Sequence, residues 1–112
     1  MDCVFCKIVK REIPASIEKE TPNVIAFKSI NPASSVHVLL TPKKHIENFM
    51  VLKSKYKDLL FEMVQVAQEL IKEKRSEKGY KMIFNGGRFQ TIPHIHWHLL
   101  AGNLNDDYYK KI

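Results

Sequence analysis

The sequence lacks long apolar runs, repeats and a cysteine framework, and each absence excludes a class of protein. No apolar stretch approaches the ~20 residues of a membrane-spanning helix, which argues against an integral membrane protein. The start, Met1-Asp2-Cys3 followed by mixed charge, does not have the pattern of a secretory signal peptide, so we expect a cytoplasmic protein. The two cysteines among 112 residues would stay reduced there. No linker or low-complexity segment divides the chain, and we predict one domain over residues 1–112.

The net charge of +6 raises the question of a nucleic-acid partner. The lysines and arginines are spread along the chain, and their densest groups lie at the two ends of a predicted helix. The group at the C-terminal end stabilises the helix through its dipole. Basic residues are not interleaved with aromatic ones in the way that stacks bases. A nucleic-acid partner is therefore disfavoured. Binding of RNA without sequence preference ranks last, and a steep loss of affinity with salt would identify it.

Local patterns predict an α+β fold. Strands are predicted over Ile17–Glu20, Val24–Lys28, 36–41, 80–85 and 93–101, separated by turn signals. A short helix or turn is predicted over 3–10, and a long amphipathic helix capped by Ser54 runs to about Glu77, with Gly79 as its stop. Because the links between consecutive strands are short, we expect a mostly antiparallel sheet of about five strands, packed on the long helix.

Three histidines alternate with apolar residues in the run His94-Ile95-His96-Trp97-His98-Leu99-Leu100. In a β-strand, alternate side chains project from one face, so the three imidazoles would form a row with their apolar neighbours turned into the core. Neutral imidazoles supply nucleophiles, proton carriers or metal ligands near pH 7. The spacing predicts a functional cluster and leaves both catalysis and metal binding open.

A second motif, Cys3-Val4-Phe5-Cys6, is a single C-x-x-C. A redox pair is disfavoured because this segment shows no βαβ pattern. A tetrahedral zinc site would need two further ligands, and the candidates are His37, His45 and the histidine run. From spacing alone, a zinc half-site and a pair of structural thiols stay equally open.

Neutral hydrogen-bonding residues lie just before the histidine run. Asn85, Gln90 and Thr91 are suited to phosphate oxygens, and Gly86-Gly87 would allow a ligand close to the backbone. The order of a P-loop is missing, which excludes that motif. A hairpin turn explains the two glycines equally well, but it explains Gln90 and Thr91 less well.

The histidine run resembles the signature His-φ-His-φ-His-φ-φ of the histidine-triad (HIT) family, in which φ is an apolar residue. The likeness extends over nearly the whole chain, and it is closest to the Hint-type branch of small nucleotide phosphoramidases. Further motifs fall in the family's order: Phe5-Cys6-Lys7-Ile8, Glu12-Ile13-Pro14, Ala26-Phe27, His37-Val38-Leu39-Leu40, Pro42-Lys43-Lys44-His45, Gly79-Tyr80 and Asn85. The resemblance implies a HIT-like fold, a homodimer with a continuous sheet, and chemistry at the α-phosphate of a purine nucleotide.

The resemblance also implies roles for individual residues. His96 would attack phosphorus to give a nucleotidyl-imidazole, which water then hydrolyses. His98 would bind the phosphate and help to protonate the leaving group, and His37 would support the proton network. The expected substrate contacts are the phosphate ligands Asn85, Gln90 and Thr91, the ribose position Ser29, and a purine pocket of Phe5, Ile8, Phe27 and Ile30.

A structural zinc is the cofactor that the resemblance implies. Some bacterial members bind zinc through positions that here are Cys3, Cys6, His45 and His94. A site closed by four protein ligands would tie the chain's first helix to the histidine run and take no part in the chemistry.

Two departures from the family pattern affect the expected substrate. Ser29 stands where an acidic residue usually binds ribose hydroxyls, and the loop 86–90 is shorter, with Arg88-Phe89 where glycine is common. A hydroxyl cannot replace a charge-assisted bidentate hydrogen bond, which predicts weaker nucleoside binding or looser sugar selectivity. The alternatives are a dinucleoside polyphosphate hydrolase and a zinc-stabilised nucleotide-binding module with little turnover.

Overall fold

The computed structural model describes residues 3–112, so Met1 and Asp2 of the predicted domain lie outside the described residues. Within this range there are five strands: β1 (Ile17–Glu20), β2 (Val24–Lys28), β3 (Ser34–Pro42), β4 (Tyr80–Ile83) and β5 (Trp97–Leu104). They form one antiparallel sheet in the order β1-β2-β3-β5-β4. The predicted α+β architecture is confirmed.

The long helix α2 (Lys57–Glu73) covers one face of the sheet. Its apolar residues recur at helical spacing and pack on the alternate side chains of β2, β3 and β5 that face it. Met63, Leu70 and Leu99 are fully buried in this layer. The predicted apolar stripe of the helix is therefore core.

The short helix α1 (Val4–Val9) packs on the opposite face. Its Phe5 and Ile8 contact Ile25 and Phe27 of β2, which point away from α2 because side chains alternate along a strand. The Sγ of Cys3 caps the helix by accepting the backbone N–H of Cys6 at 3.4 Å. This second layer is where the histidines lie.

Both ends of the long helix differ from the prediction. Ser54 opens a 3₁₀ turn (Ser54–Tyr56), and the α-helix begins only at Lys57 without a side-chain cap. At the other end the helix stops at Glu73, because Arg75 takes a left-handed φ of 52°. The N–H groups of Arg75 and Ser76 then bond back to the last-turn carbonyls at 3.0 and 2.9 Å, so Glu77 and Gly79 lie beyond the helix.

The strand boundaries need corrections too. Strand β3 is longer than the predicted 36–41, β4 ends at Ile83 and not at Asn85, and β5 begins at Trp97 and not at residue 93. The loop 86–91 contains a 3₁₀ turn, Gly87–Phe89. None of the helices in residues 3–112 combines the length and apolarity that crossing a membrane requires.

Candidate active site

Of the three histidines in the run, only the last one, His98, lies in strand β5. His94 and His96 precede β5 because their segment bonds to loops and side chains: the Ile95 N–H donates to the carbonyl of Ile46 at 2.8 Å, and the Ile95 carbonyl accepts the Thr41 hydroxyl at 2.7 Å. Pro42, at the end of the neighbouring β3, has no N–H to extend the ladder. The histidine segment is therefore held in place mainly by specific side-chain and loop contacts.

The side chains of the histidine run nevertheless still alternate between the two faces of the sheet. The rings of His96 and His98 lie 5.1 Å apart, and the ring of Phe5 packs edge-on against both His94 and His96, at 5.7 and 5.0 Å. Trp97 and Leu99 turn to the helix-facing core. The predicted row of three imidazoles on one side is present, although only His98 lies in a strand.

Backbone contacts determine which nitrogen of His96 is reactive. Its Nδ1 lies 2.8 Å from the carbonyl oxygen of His94, which can only accept a hydrogen bond, so Nδ1 carries the proton. The lone pair is therefore on Nε2. Burial lowers the pKa of His96, opposed by its bond to the His94 carbonyl, so the ring is neutral near pH 7. A neutral imidazole with a free lone pair is a competent nucleophile.

A chain of hydrogen bonds also assigns the tautomers of His37 and His98. The N–H of Ala33 donates to His37 Nδ1 at 2.9 Å, so the proton of His37 lies on Nε2. That group lies 2.9 Å from His98 Nδ1 and donates to it. His98 therefore carries its own proton on Nε2. Burial, which is the main cause, lowers the pKa of both His37 and His98 to about 4, which keeps the pair neutral.

His96 lies between two cavities. One, of about 390 Å³, is lined by His96, His98 and most of the predicted nucleoside contacts, namely Phe5, Ile8, Phe27, Ser29, Ile30 and Thr91. The other, of about 460 Å³, lies between α2 and the end of β4 and includes Asn85. The structure thus brings the predicted purine and ribose contacts together with His96 and His98 at a single cavity. Asn85 lines the second cavity, and His37 contacts His98 without lining either one.

Gln90 is placed differently from the other predicted phosphate contacts. Its side-chain amide donates both hydrogens to backbone carbonyls, of Glu47 at 2.7 Å and of Ile92 at 2.9 Å. In this conformation Gln90 links two loops beside the site. Its phosphate contact stays a prediction, as do the roles of the remaining site residues.

The structure gathers the four predicted zinc ligands. Cys3, Cys6, His45 and His94 place their ligand atoms within 4.8 Å of one another. The Nδ1 of His94 lies 3.3 Å from Cys3 Sγ and 3.7 Å from Cys6 Sγ, and the Nδ1 of His45 lies 3.4 Å from Cys6 Sγ. Zn–S and Zn–N bonds of about 2.3 and 2.0 Å at tetrahedral angles separate sulfur from nitrogen by about 3.5 Å. The cluster is compatible with zinc.

The tautomer of His94 also suits metal binding. The Nε2 of His94 donates to the carbonyl of Pro42 at 2.7 Å, which leaves the lone pair on Nδ1, facing both sulfurs. Sequence patterns alone did not identify the carbonyls of Pro42 and His94 or the N–H of Ala33 as tautomer-fixing groups. Backbone atoms carry no residue-type signal, so only the fold reveals them.

The comparisons with known proteins agree with this geometry. Residues 2–111 match the family described as "Scavenger mRNA decapping enzyme C-term binding". Protein HitA of Neisseria gonorrhoeae is 35% identical over 102 residues, covering 89% of this chain and 95% of the relative. The "14 kDa zinc-binding protein" of Zea mays is 34% identical over 103 residues, covering 88% of this chain and 80% of the relative.

A solved structure gives the same result for the fold. The HIT family hydrolase from Legionella pneumophila Philadelphia 1 superposes with a TM-score of 0.88 at 38% identity, covering 91% of this chain and 94% of the other. A fold shared with a hydrolase, together with the imidazoles of His96 and His98 beside one cavity, defines a hydrolase-type site. The chain belongs to the histidine-triad family.

Proposed function

We propose that this protein hydrolyses purine nucleoside phosphoramidates, or related adenylylated compounds, at the α-phosphate in the cytoplasm. The observation that carries the proposal is the tautomer of His96, which leaves its Nε2 lone pair free in a residue that lines a cavity with Phe5, Phe27 and His98. An apolar and aromatic cavity of about 390 Å³ suits a purine nucleoside. The kinship with HIT family hydrolases supports the reaction class.

The first step forms a bond from His96 Nε2 to phosphorus while the bond from phosphorus to the leaving nitrogen breaks. The nitrogen takes one proton from solvent and departs as an amine, whose new lone pair accepts a hydrogen bond from the Nε2–H of His98. The resulting nucleotidyl-imidazole is positively charged, and the carbonyl of His94 stabilises that charge because it accepts the Nδ1–H at 2.8 Å. This acceptor is already in place before the reaction, so no reorganisation is needed.

The second step consumes one water. The water oxygen attacks phosphorus, the bond to His96 breaks, and the released water proton returns to the solvent, which balances the proton taken up in the first step. The His37–His98 hydrogen bond keeps the Nε2 of His98 directed at the reacting groups. The products are the free nucleoside monophosphate and the amine. The zinc, when bound, supplies structural support through Cys3, Cys6, His45 and His94.

Turnover of adenosine 5′-phosphoramidate tests the proposal. We expect the purified protein to release AMP with multiple turnovers, and an acid quench to trap one adenylyl group on His96, located by peptide mass spectrometry. Binding of AMP without any release from the phosphoramidate would instead support the nucleotide-binding module.

We also propose that the protein is a homodimer, paired through the free edge of β4. This strand is one of the two outer strands of the sheet, the other being β1, and the residues around it are apolar and exposed: Phe49 is 54%, Phe61 58% and Phe84 51% exposed. The rings of Phe49 and Phe84 stack at 5.0 Å, which gives a rigid apolar surface beside an unpaired edge. Such edges promote pairing with a second chain.

Replacing Phe84 with glutamate is expected to weaken the dimer. A carboxylate desolvated at an apolar interface should raise the dissociation constant by about 100-fold, since a central aromatic contact contributes on the order of 3 kcal/mol. Light scattering after size-exclusion chromatography over a concentration series measures this shift. Phe89→Glu is the matched control because Phe89 is also more than half exposed, at 63%, but does not line the cavity between α2 and the end of β4. A wild-type chain that is monomeric at every concentration would contradict the dimer.

A further inference from the structure

The hydrogen bonds behind the reactive histidines start from one peptide bond, the one between Pro32 and Ala33. Its N–H donates to His37 Nδ1 at 2.9 Å. The Nε2–H of His37 then donates to His98 Nδ1 at 2.9 Å, which leaves the proton of His98 on Nε2. The orientation of this peptide therefore decides whether His98 is able to donate a hydrogen bond to the departing nitrogen.

The other side of the same peptide is held by a residue that the proposed mechanism does not use. The carbonyl oxygen of Pro32 accepts a hydrogen bond from the side-chain Nδ2 of Asn105 at 3.2 Å. Because a carbonyl oxygen only accepts, the amide nitrogen of Asn105 must face it. In a planar trans peptide the C=O and the N–H point in opposite directions, so a donor bound to one group also fixes the direction of the other.

The end of the sheet places Asn105 beside this peptide. Leu104, the last residue of β5, pairs with Ser34 of β3, and the N–H of Asn105 then donates to the carbonyl of Ala33 at 2.9 Å. Asn105 is 73 positions from Pro32 in sequence. Its backbone and its side chain therefore hold two successive carbonyls, one on each side of Ala33.

Rotation of the peptide between Pro32 and Ala33 would give the histidines a second arrangement. Proline fixes its own φ but leaves ψ free, so the peptide that follows it is able to turn over. The carbonyl of Pro32 would then face His37 Nδ1 and accept a proton from it. As a result, His98 Nδ1 would donate to His37 Nε2, and His98 Nε2 would carry a lone pair. That lone pair would repel the departing nitrogen.

We propose that Asn105 is a positioning residue, whose side-chain amide holds the peptide between Pro32 and Ala33 in the orientation that keeps the proton of His98 on Nε2. The effect on the tautomer stands on hydrogen bonds alone, whereas the effect on turnover rests on the proposed function. Asn105 acts through the hydrogen-bonded chain and lines neither of the two cavities that meet at His96.

Two substitutions of Asn105 distinguish this role from simple packing. Aspartate has the shape of asparagine, so a packing role predicts a smaller effect for Asn105→Asp than for Asn105→Ala. The positioning role predicts the reverse, because a carboxylate repels the carbonyl of Pro32 and accepts the N–H of the rotated peptide. We expect kcat for adenosine 5′-phosphoramidate to fall about 5-fold in Asn105→Ala, the contribution of one hydrogen bond, and about 20-fold in Asn105→Asp. KM should stay within about 2-fold.

Nitrogen NMR of the imidazoles measures the tautomers directly and needs no substrate. In the wild-type protein we expect a protonated Nε2 and an unprotonated Nδ1 for His98. In Asn105→Asp the shifts of these two nitrogens should move toward each other or exchange.

The control Asn103→Asp adds the same charge two residues away. Asn103 is as exposed as Asn105 by class, and its side chain makes no hydrogen bond within residues 3–112. This variant should keep the wild-type shifts of His98 and a kcat within about 2-fold. Because both asparagines are exposed, the thermal unfolding of all three variants should stay within a few degrees of wild type.

The outcomes separate this inference from the proposed function. Unchanged His98 shifts in both Asn105 variants would overturn the positioning role. A greater loss of kcat in Asn105→Ala than in Asn105→Asp would also overturn it, as would equal losses in Asn105→Asp and Asn103→Asp. A wild-type protein without turnover, in which Asn105→Asp still changes the His98 tautomer, would refute the hydrolase and support the positioning role.

Discussion

Replacing His96 with alanine is expected to abolish AMP release, with a fall in kcat of at least ~10⁴-fold. Among the described residues His96 is the one histidine that lines both cavities, and its Nε2 carries a free lone pair. Its removal also takes away the Nδ1–H that the His94 carbonyl stabilises. AMP should still bind within about 3-fold of wild type, because the aromatic wall of Phe5 and Phe27 is retained.

The measurement needs a control for folding and one for chemistry. Thermal unfolding of the His96→Ala variant should match wild type within a few degrees, and acid quenching should show no adenylylated peptide. His37→Gln is a graded comparison: it disturbs the tautomer of His98 through their 2.9 Å contact but leaves the nucleophile, so a partial loss of about 10–100-fold is expected. Residual turnover of the His96→Ala variant above a tenth of wild type would show that His96 is not the nucleophile.

Removing the metal is expected to give the largest change in stability. Zinc that binds the folded state alone stabilises it by about 4 kcal/mol when its free concentration is 1,000 times its dissociation constant. For a chain of this size that corresponds to a fall in Tm of about 15 °C on chelation. The cluster joins Cys3 and Cys6, at the start of α1, to His45 and His94. Loss of the zinc therefore frees α1, whose Phe5 and Ile8 line the cavity beside His96.

The variant Cys3→Ser/Cys6→Ser separates metal binding from packing. It should contain no zinc by elemental analysis and should unfold at the temperature of chelated wild type. Added zinc should restore the Tm of chelated wild type and leave that of the variant unchanged. Activity should also fall by about 10–100-fold, because His94 supplies the carbonyl that orients His96. A purified wild-type protein that lacks zinc and is indifferent to chelators would contradict a structural zinc.

Several features could be read from the sequence because side-chain type encodes them directly. The alternation around His94, His96 and His98 and the helical stripe of α2 depend on local periodicity, and both are present. The four metal ligands followed from residue identity and family resemblance, and the fold brings their ligand atoms together. Local chemistry and residue type were sufficient for these features.

The helix and strand ends were predicted less well, because each end depends on which hydrogen-bond partners the backbone groups find in the folded chain. The backbone of Arg75 adopts the left-handed turn that Gly79 was expected to provide, since bonds from Arg75 and Ser76 satisfy the last carbonyls earlier in the chain. Strand β5 starts late because Ile95 finds partners in Ile46 and Thr41, which are distant in sequence. Local sequence patterns contain no information about hydrogen bonds between residues so distant in sequence.

The sequence by itself determined the family, the antiparallel sheet on one helix and the four residues of the metal cluster, and it predicts which histidines react. The tertiary structure alone decided how those residues are prepared to react. Backbone groups of Ala33, Pro42 and His94 fix the tautomers of three imidazoles, those of His37, His94 and His96. The physical reason is that every residue has nearly the same backbone donor and acceptor, so only their positions in space can assign a proton to one nitrogen rather than the other.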